Sequence, residues 1–215
     1  MQIFIDTANI KVIEQYMQMG LIDGVTTNPS LLKQAGANQP SLFKSLICEI
    51  CELVNGPVSA EVTSNDICEM EEQANELSSW HHHVVVKLPA NKAGFWTLKQ
   101  LPSSVRTNMT LVFQPIQAML VGKHNATYAS PFLGRIDDLG YSGMSLLRSI
   151  KQIYRNYSFE TKILAASIRT LNHVVEVAEI GVDAITIPPD ILEQIMCHQL
   201  TEQGVNKFMM DWNKT

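Results

Sequence analysis

The residue with the most distinctive chemistry is Lys87, which directly follows Val84-Val85-Val86. Three β-branched residues in a row read as a strand buried on both faces. Pro89, two places after the lysine, ends any ladder there. An ammonium group without a partner is costly in such a place and tends to shed its proton. A neutral amine at the end of a buried strand is a nucleophile, able to condense with a carbonyl to a Schiff base. The competing reading is a lysine whose stem runs along the strand end and carries its charge out to solvent. Other reactive side chains recur at similar places along the chain. Asp6, Asn28, Glu61, Asn108 with Thr110, Ser130 and Ser167 lie within or at the ends of strand-like runs. Arg135 and Arg169 lie just beyond two of those ends. Carboxylates suit proton transfer, and arginine beside a serine hydroxyl suits a phosphate. Each alone also reads as a helix cap, a turn residue or surface.

The elements that must position these groups follow from periodicity. Strand-like runs occur at 2–5, 25–27, 58–63, 84–88, 108–113, 127–130, 162–167 and 183–187. Helix-like patterns separate them, such as Ile10, Ile13 and Met17, or Ile67, Met70, Ala74 and Leu77. Asn9 is placed to cap the first helix, and Asp66 with Glu69 has capping-box spacing. Gly56-Pro57, Gly181 and Pro188-Pro189 mark breaks. Strands alternating with helices imply a parallel sheet with right-handed crossovers. Eight such units over residues 1–215 predict a single α/β domain, a compact (β/α)8 TIM barrel. An open doubly wound sheet would want a glycine-rich phosphate loop after the first strand, and Asp6-Thr7-Ala8-Asn9 is not one. In a barrel the strand ends converge on one mouth, so an amine, two acids, amides and hydroxyls would share it. An additional C-terminal helix carries Val205, Phe208, Met209 and Trp212 on one face, for docking on the barrel or on a neighbouring subunit.

Composition excludes several classes. Of the 215 residues 46% are hydrophobic and 17% charged, which describes an ordinary globular chain. The net charge of −5, with no basic run, argues against a nucleic-acid surface. No apolar run reaches membrane-spanning length and the N-terminus lacks a signal-peptide pattern, so a soluble, cytoplasmic protein is expected. Cys48 and Cys51 have C-x-x-C spacing, but no second pair exists and both fall in a helical pattern. They read as two thiols in a reducing compartment. His81-His82-His83 has no thiol or carboxylate at ligand spacing and reads as a loop entering a strand.

Several segments together carry a family resemblance. They are Phe4-Ile5-Asp6-Thr7-Ala8, Gly24-Val25-Thr26-Thr27-Asn28-Pro29-Ser30, Glu61-Val62-Thr63, Val85-Val86-Lys87-Leu88-Pro89, Asn108-Met109-Thr110-Leu111-Val112-Phe113, Ser130-Pro131-Phe132-Leu133-Gly134-Arg135-Ile136-Asp137-Asp138 and Leu164-Ala165-Ala166-Ser167-Ile168-Arg169. In this order, over nearly the whole chain, they resemble the small-subunit transaldolases, a family shared with fructose-6-phosphate aldolases. The resemblance implies a class I aldolase barrel with Lys87 as the Schiff-base residue. It implies Glu61, with Thr110 and a water, as acid/base for imine formation, and Asp6 as the proton acceptor when the carbon–carbon bond breaks. Asn28, Asn108 and Ser130 would hold the dihydroxyacetone hydroxyls, with Phe132 beside them, and Arg135, Ser167 and Arg169 the phosphate. No metal or organic cofactor is implied. The expected partners are sugar phosphates and further copies of the chain in a ring-based oligomer, with neither nucleic acid nor membrane. Glu61 and Phe132 stand where the aldolases resemble glutamine and tyrosine, which favours transfer of dihydroxyacetone over its release. A barrel that only binds sugar phosphates is a third reading, against which Asp6, Glu61 and Lys87 stand together. Ala90-Asn91-Lys92-Ala93-Gly94, Gln114-Pro115 and residues 78–83 depart from the family pattern.

Overall fold

Eight parallel strands pair in chain order, and the last pairs with the first, closing a barrel. The structure is a computed structural model that describes residues 1–214. The strands are β1 (Gln2–Asp6), β2 (Gly24–Thr26), β3 (Val58–Glu61), β4 (Val84–Pro89), β5 (Thr107–Val112), β6 (Tyr128–Pro131), β7 (Lys162–Ala165) and β8 (Ala184–Ile187). The helices are α1 (Ile10–Gln18), α2 (Pro29–Gln34), α3 (Pro40–Val54), α4 (Ile67–Trp80), α5 (Lys92–Gln100), α6 (Pro115–Lys123), α7 (Leu133–Asp137), α8 (Gly143–Tyr157), α9 (Leu171–Ile180), α10 (Pro189–Met196) and α11 (Gln199–Trp212). This is a TIM barrel with an additional C-terminal helix. No helix among the described residues is long and apolar enough to cross a membrane.

The two-residue period of the strands builds the interior in layers. Phe4, Val85, Tyr128, Leu164 and Ala184 come from five strands around the ring and pack together inside it. The ring edge of Phe4 meets Tyr128 at 5.7 Å. Two residues further along the same strands, on the same inward face, stand Asp6, Lys87, Ser130, Ala166 and Thr186. An apolar plug therefore seals the barrel beneath a mostly polar layer. Val84, Val86 and Leu88 point the other way, into the larger core between strands and helices. That is why the lysine strand reads as an unbroken apolar run: one face meets the helices and the other meets the plug.

Helix ends follow side-chain chemistry. Asn9 accepts from the N–H groups of Lys11 and Val12 and so caps α1. Asp66 caps α4, but Glu69 does not close the expected box; it accepts from the Ser64 hydroxyl, which in turn accepts from Asp66 N–H. The stretch after Asn28 contains α2: Asn28 accepts from Leu31 N–H at 3.0 Å and Pro29 takes the first helical position. Pro189 likewise starts α10 where the sequence suggested only a strand stop. Two of the three atypical segments are local caps joined through Gln117. Asn91 caps α5, and the Gln117 side chain accepts from Phe113 and Gln114 N–H while donating to Ala90 O.

Two expectations are corrected. Strand pairing in β5 is interrupted by a register shift between Met109 and Val112, with Leu111 at φ 56°. β3 and β7 stop at Glu61 and Ala165, so Ser167 stands beyond its strand. α11 buries none of its described residues, and Phe208 on its apolar face is 73% exposed.

Candidate active site

Lys87 is 5% exposed. Its Nζ lies 2.9 Å from Glu61 Oε2 and donates to the Thr27 carbonyl at 3.1 Å. The charge therefore does not run out to solvent; it ends on a carboxylate inside the barrel. The register makes this contact, because Glu61 lies opposite Lys87 on β3 and both point inward. One proton moved across this contact turns an ion pair into a free amine and a carboxylic acid, which is what a nucleophilic lysine needs.

Above the pair a cavity of about 240 Å³ opens at the C-terminal ends of the strands. Asp6, Asn28, Lys87, Asn108, Ser130, Phe132, Arg135, Ser167 and Arg169 all border it. Glu61 and Thr110 do not. Glu61 reaches the site through Lys87 instead. Thr110 is fully buried beside the β5 irregularity, and its hydroxyl has no hydrogen-bond partner among the described residues.

Two hydrogen-bond sets organise the walls. Thr26 Oγ1 donates to Asp6 Oδ1 at 2.7 Å and lies 2.6 Å from Thr186 Oγ1. With the Thr26 proton spent on Asp6, Thr186 must be the donor to Thr26, so both hydroxyls point their protons toward the carboxylate. On the other side Ser130 Oγ donates to Asn108 Oδ1 at 2.7 Å, and Asn108 Nδ2 donates to Ser59 Oγ at 3.1 Å. The Asn108 amide is thereby oriented, and the Ser130 oxygen keeps lone pairs for a hydroxyl arriving in the cavity.

The rim is cationic. The Arg135 guanidinium lies 4.9 Å over the Phe132 ring, which meets Phe113 edge-on. Arg169 pairs with Asp138 at 3.2 Å. Ser167, at φ 60°, holds the turn between them. Its carbonyl accepts from Gly134 N–H at 2.9 Å. A Cβ at Gly134 would lie 2.5 Å from that same carbonyl oxygen and would run into the Arg169 side chain, so glycine is required there. His173 ties the rim down: its Nδ1 accepts from Arg169 N–H, and its Nε2 meets Asp137 Oδ2 at 3.3 Å.

Thr26, Thr186, Ser59, Gly134 and Asp138 were not singled out from the sequence. Thr26, Gly134 and Asp138 lie inside the motif segments, and Thr186 is two residues beyond the plug residue Ala184, which is the signal that could have found it. The histidine and cysteine clusters stay outside the site. His81 pairs with Glu52 and His83 with Asn55, while the three rings lie against one another. All four cysteines are free, and burial pushes the Cys51 thiol up to about 12. Among the described residues no three His, Cys, Asp or Glu side chains converge as they would around a metal ion.

Comparison with known proteins gives the family of the chain. The family model described as Transaldolase/Fructose-6-phosphate aldolase matches residues 3–215. A protein of Thermodesulfovibrio yellowstonii named "Probable transaldolase" is 46% identical over 215 residues, covering 100% of this chain and 99% of that one. One of Chelativorans sp. strain BNC1, with the same name, is 48% identical over 216 residues, covering 100% and 98%. Among solved structures, a thiamine phosphate pyrophosphorylase from Pyrococcus furiosus shares the fold with a TM-score of 0.59 at 14% identity, covering 87% of this chain and 85% of its own. The chain belongs to the transaldolase/fructose-6-phosphate aldolase family of barrel enzymes.

Proposed function

We propose that the protein is a cytoplasmic transaldolase of the non-oxidative pentose phosphate pathway. It moves a dihydroxyacetone unit from a ketose phosphate (sedoheptulose 7-phosphate or fructose 6-phosphate) to an aldose phosphate (glyceraldehyde 3-phosphate or erythrose 4-phosphate). The observation that carries this reading is the Lys87–Glu61 contact, buried at the floor of a polar cavity whose rim carries two arginines.

In the reaction, Lys87 attacks the keto carbon and the oxygen leaves as water, giving an iminium. That cation accepts the electrons of the C3–C4 bond as the bond breaks, so no metal or organic cofactor is required. Glu61 moves the protons of imine formation, through a water that the Thr110 hydroxyl is free to hold. Asp6, held by Thr26, takes the C4 hydroxyl proton as the bond breaks and returns it on condensation. Asn28, Asn108 and Ser130 hold the hydroxyls of the three-carbon fragment until the acceptor aldehyde arrives. Arg135, Ser167 and Arg169 hold the phosphate. Phe132 offers the cavity a ring without a hydroxyl, so among the described residues that line the cavity Asp6 is the one acid, and transfer is favoured over lyase chemistry. The apolar face of α11, with Val205, Phe208 and Met209 exposed, packs on another copy of the chain in a homo-oligomer.

Borohydride added with fructose 6-phosphate traps a three-carbon adduct on Lys87, read by peptide mass spectrometry. A Lys87→Ala variant that is still trapped and active defeats the proposal. Free dihydroxyacetone accumulating without an acceptor aldehyde reassigns the enzyme as a lyase.

A further inference from the structure

Glu61 faces two ways. Its Oε2 meets Lys87 inside the barrel at 2.9 Å, yet the side chain is not part of the mouth wall. Glu61, the last residue of β3, also borders a second cavity of about 290 Å³, and 16% of its side chain stays exposed. That cavity lies on the outer side of β3, between α3 and α4, and its walls are Phe43, Val62, Leu77 and Trp80. Thr63 and Glu76, both solvent-exposed residues, also border it. The Trp80 indole N–H is shielded from solvent and has no hydrogen-bond partner among the described residues. A space of this size holds several waters at about 30 Å³ each, provided polar groups anchor them. Glu61, Gln73, Glu76 and Thr63 are the polar residues that border it.

Imine chemistry needs such a route. When the N–C bond forms and the C–O bond breaks, the carbonyl oxygen departs as water, taking one proton from the amine and one from Glu61. Hydrolysis at the end of the cycle consumes one water and returns those protons. A ketose phosphate seated between Lys87 and the rim arginines closes the mouth at the moment when water must pass. The outer cavity is bordered by exposed Thr63 and Glu76 and shares no wall residue with the mouth. We infer that this cavity is the water and proton port of Glu61, separate from the substrate entrance. The inference rests on the Schiff-base reading of Lys87 and Glu61.

The test uses fructose 6-phosphate labelled with oxygen-18 at its keto carbon. Loss of label to water reports imine formation and hydrolysis, and rapid borohydride trapping reports imine formation alone. Glu76→Trp and Thr63→Phe place rings at the outer opening, on two exposed residues where folding tolerates them. Glu72→Trp puts the same ring on an exposed position of α4 that does not border the cavity. Both plugs are expected to slow label loss and trapping on the order of tenfold, a part of the 10²–10⁴-fold that acid–base catalysis contributes. Affinity for the unreactive alcohol glucitol 6-phosphate stays unchanged, and Glu72→Trp behaves as the wild type. Plugged variants that exchange at the wild-type rate, or that lose rate only in step with glucitol 6-phosphate affinity, overturn the port alone. A wild-type protein showing neither adduct nor label loss overturns the Schiff-base reading and the port with it.

Discussion

Replacing Lys87 by methionine removes the ammonium but keeps most of the stem volume. It leaves Glu61 Oε2 without the partner now 2.9 Å away. Two unit charges at that separation attract by about 6 kcal/mol at an effective dielectric of about 20. Desolvation of both groups offsets much of that gain. Breaking such a pair from one side leaves the other desolvation uncompensated, a cost of ~3–5 kcal/mol. The two sides are not equal here. The Lys87 side chain is 6% exposed and the Glu61 side chain 16%, so water reaches an orphaned Glu61 more readily than an orphaned Lys87. Lys87→Met is therefore expected to cost about 3 kcal/mol and Glu61→Leu about 4–5 kcal/mol. The double variant, with both charges gone, should fall within about 1 kcal/mol of the wild type. Urea unfolding at one fixed protein concentration reads these values as shifts in midpoint at constant slope. A double variant that costs the sum of the two single ones would refute the reasoning, because additivity means the groups do not interact.

Three further outcomes follow from particular contacts. Gly134→Ala places a methyl group against the Ser167 carbonyl and the Arg169 stem, so the preference for fructose 6-phosphate over fructose, measured as a ratio of kcat/KM, should shrink roughly tenfold. In limited alkylation followed by mass spectrometry, exposed Cys68 reacts early and buried Cys51 only on unfolding, since burial and the neighbouring Cys48 hold its thiol near 12; early labelling of Cys51 would contradict the packing of α3. His83 is held below the ordinary histidine value, by burial first and then by His82, His81 and Arg106. The folded state thus resists a proton that the unfolded chain accepts below about pH 6.5, and stability falls as pH drops through that value. His83→Gln should flatten this slope in thermal melts between about pH 7 and 5; an unchanged slope assigns it to other groups.

Much of this molecule is legible locally. A strand shows as an apolar run and a helix face as a spacing of three and four, so eight alternating units and a barrel follow from neighbours in the chain. The polar layer is legible too, because Asp6, Lys87 and Ser130 each stand two residues beyond an apolar plug residue. Short helices such as α2 and α10 escaped that reading because they are too short for a period to show; their signal is a single cap and a proline. The irregularity at Leu111 escaped it because residue types alone do not mark where a ladder slips. Glu61 and Thr110 were expected in the cavity wall, and neither is there, since one points at Lys87 and the other is buried beside the β5 irregularity.

Lys87 itself shows the division. Its place at the end of a buried strand, and with it a demand for a partner, was set by the chain around it. Which partner meets it was decided only when β3 and β4 took their register, bringing Glu61 opposite from 26 positions away. The threonine relay to Asp6 joins residues 160 apart, and it exists because β8 returns to β1. Local periodicity reports which face a side chain takes, since that depends on near neighbours. Distances across the ring depend on closure of the whole sheet, and no short stretch of sequence contains that information.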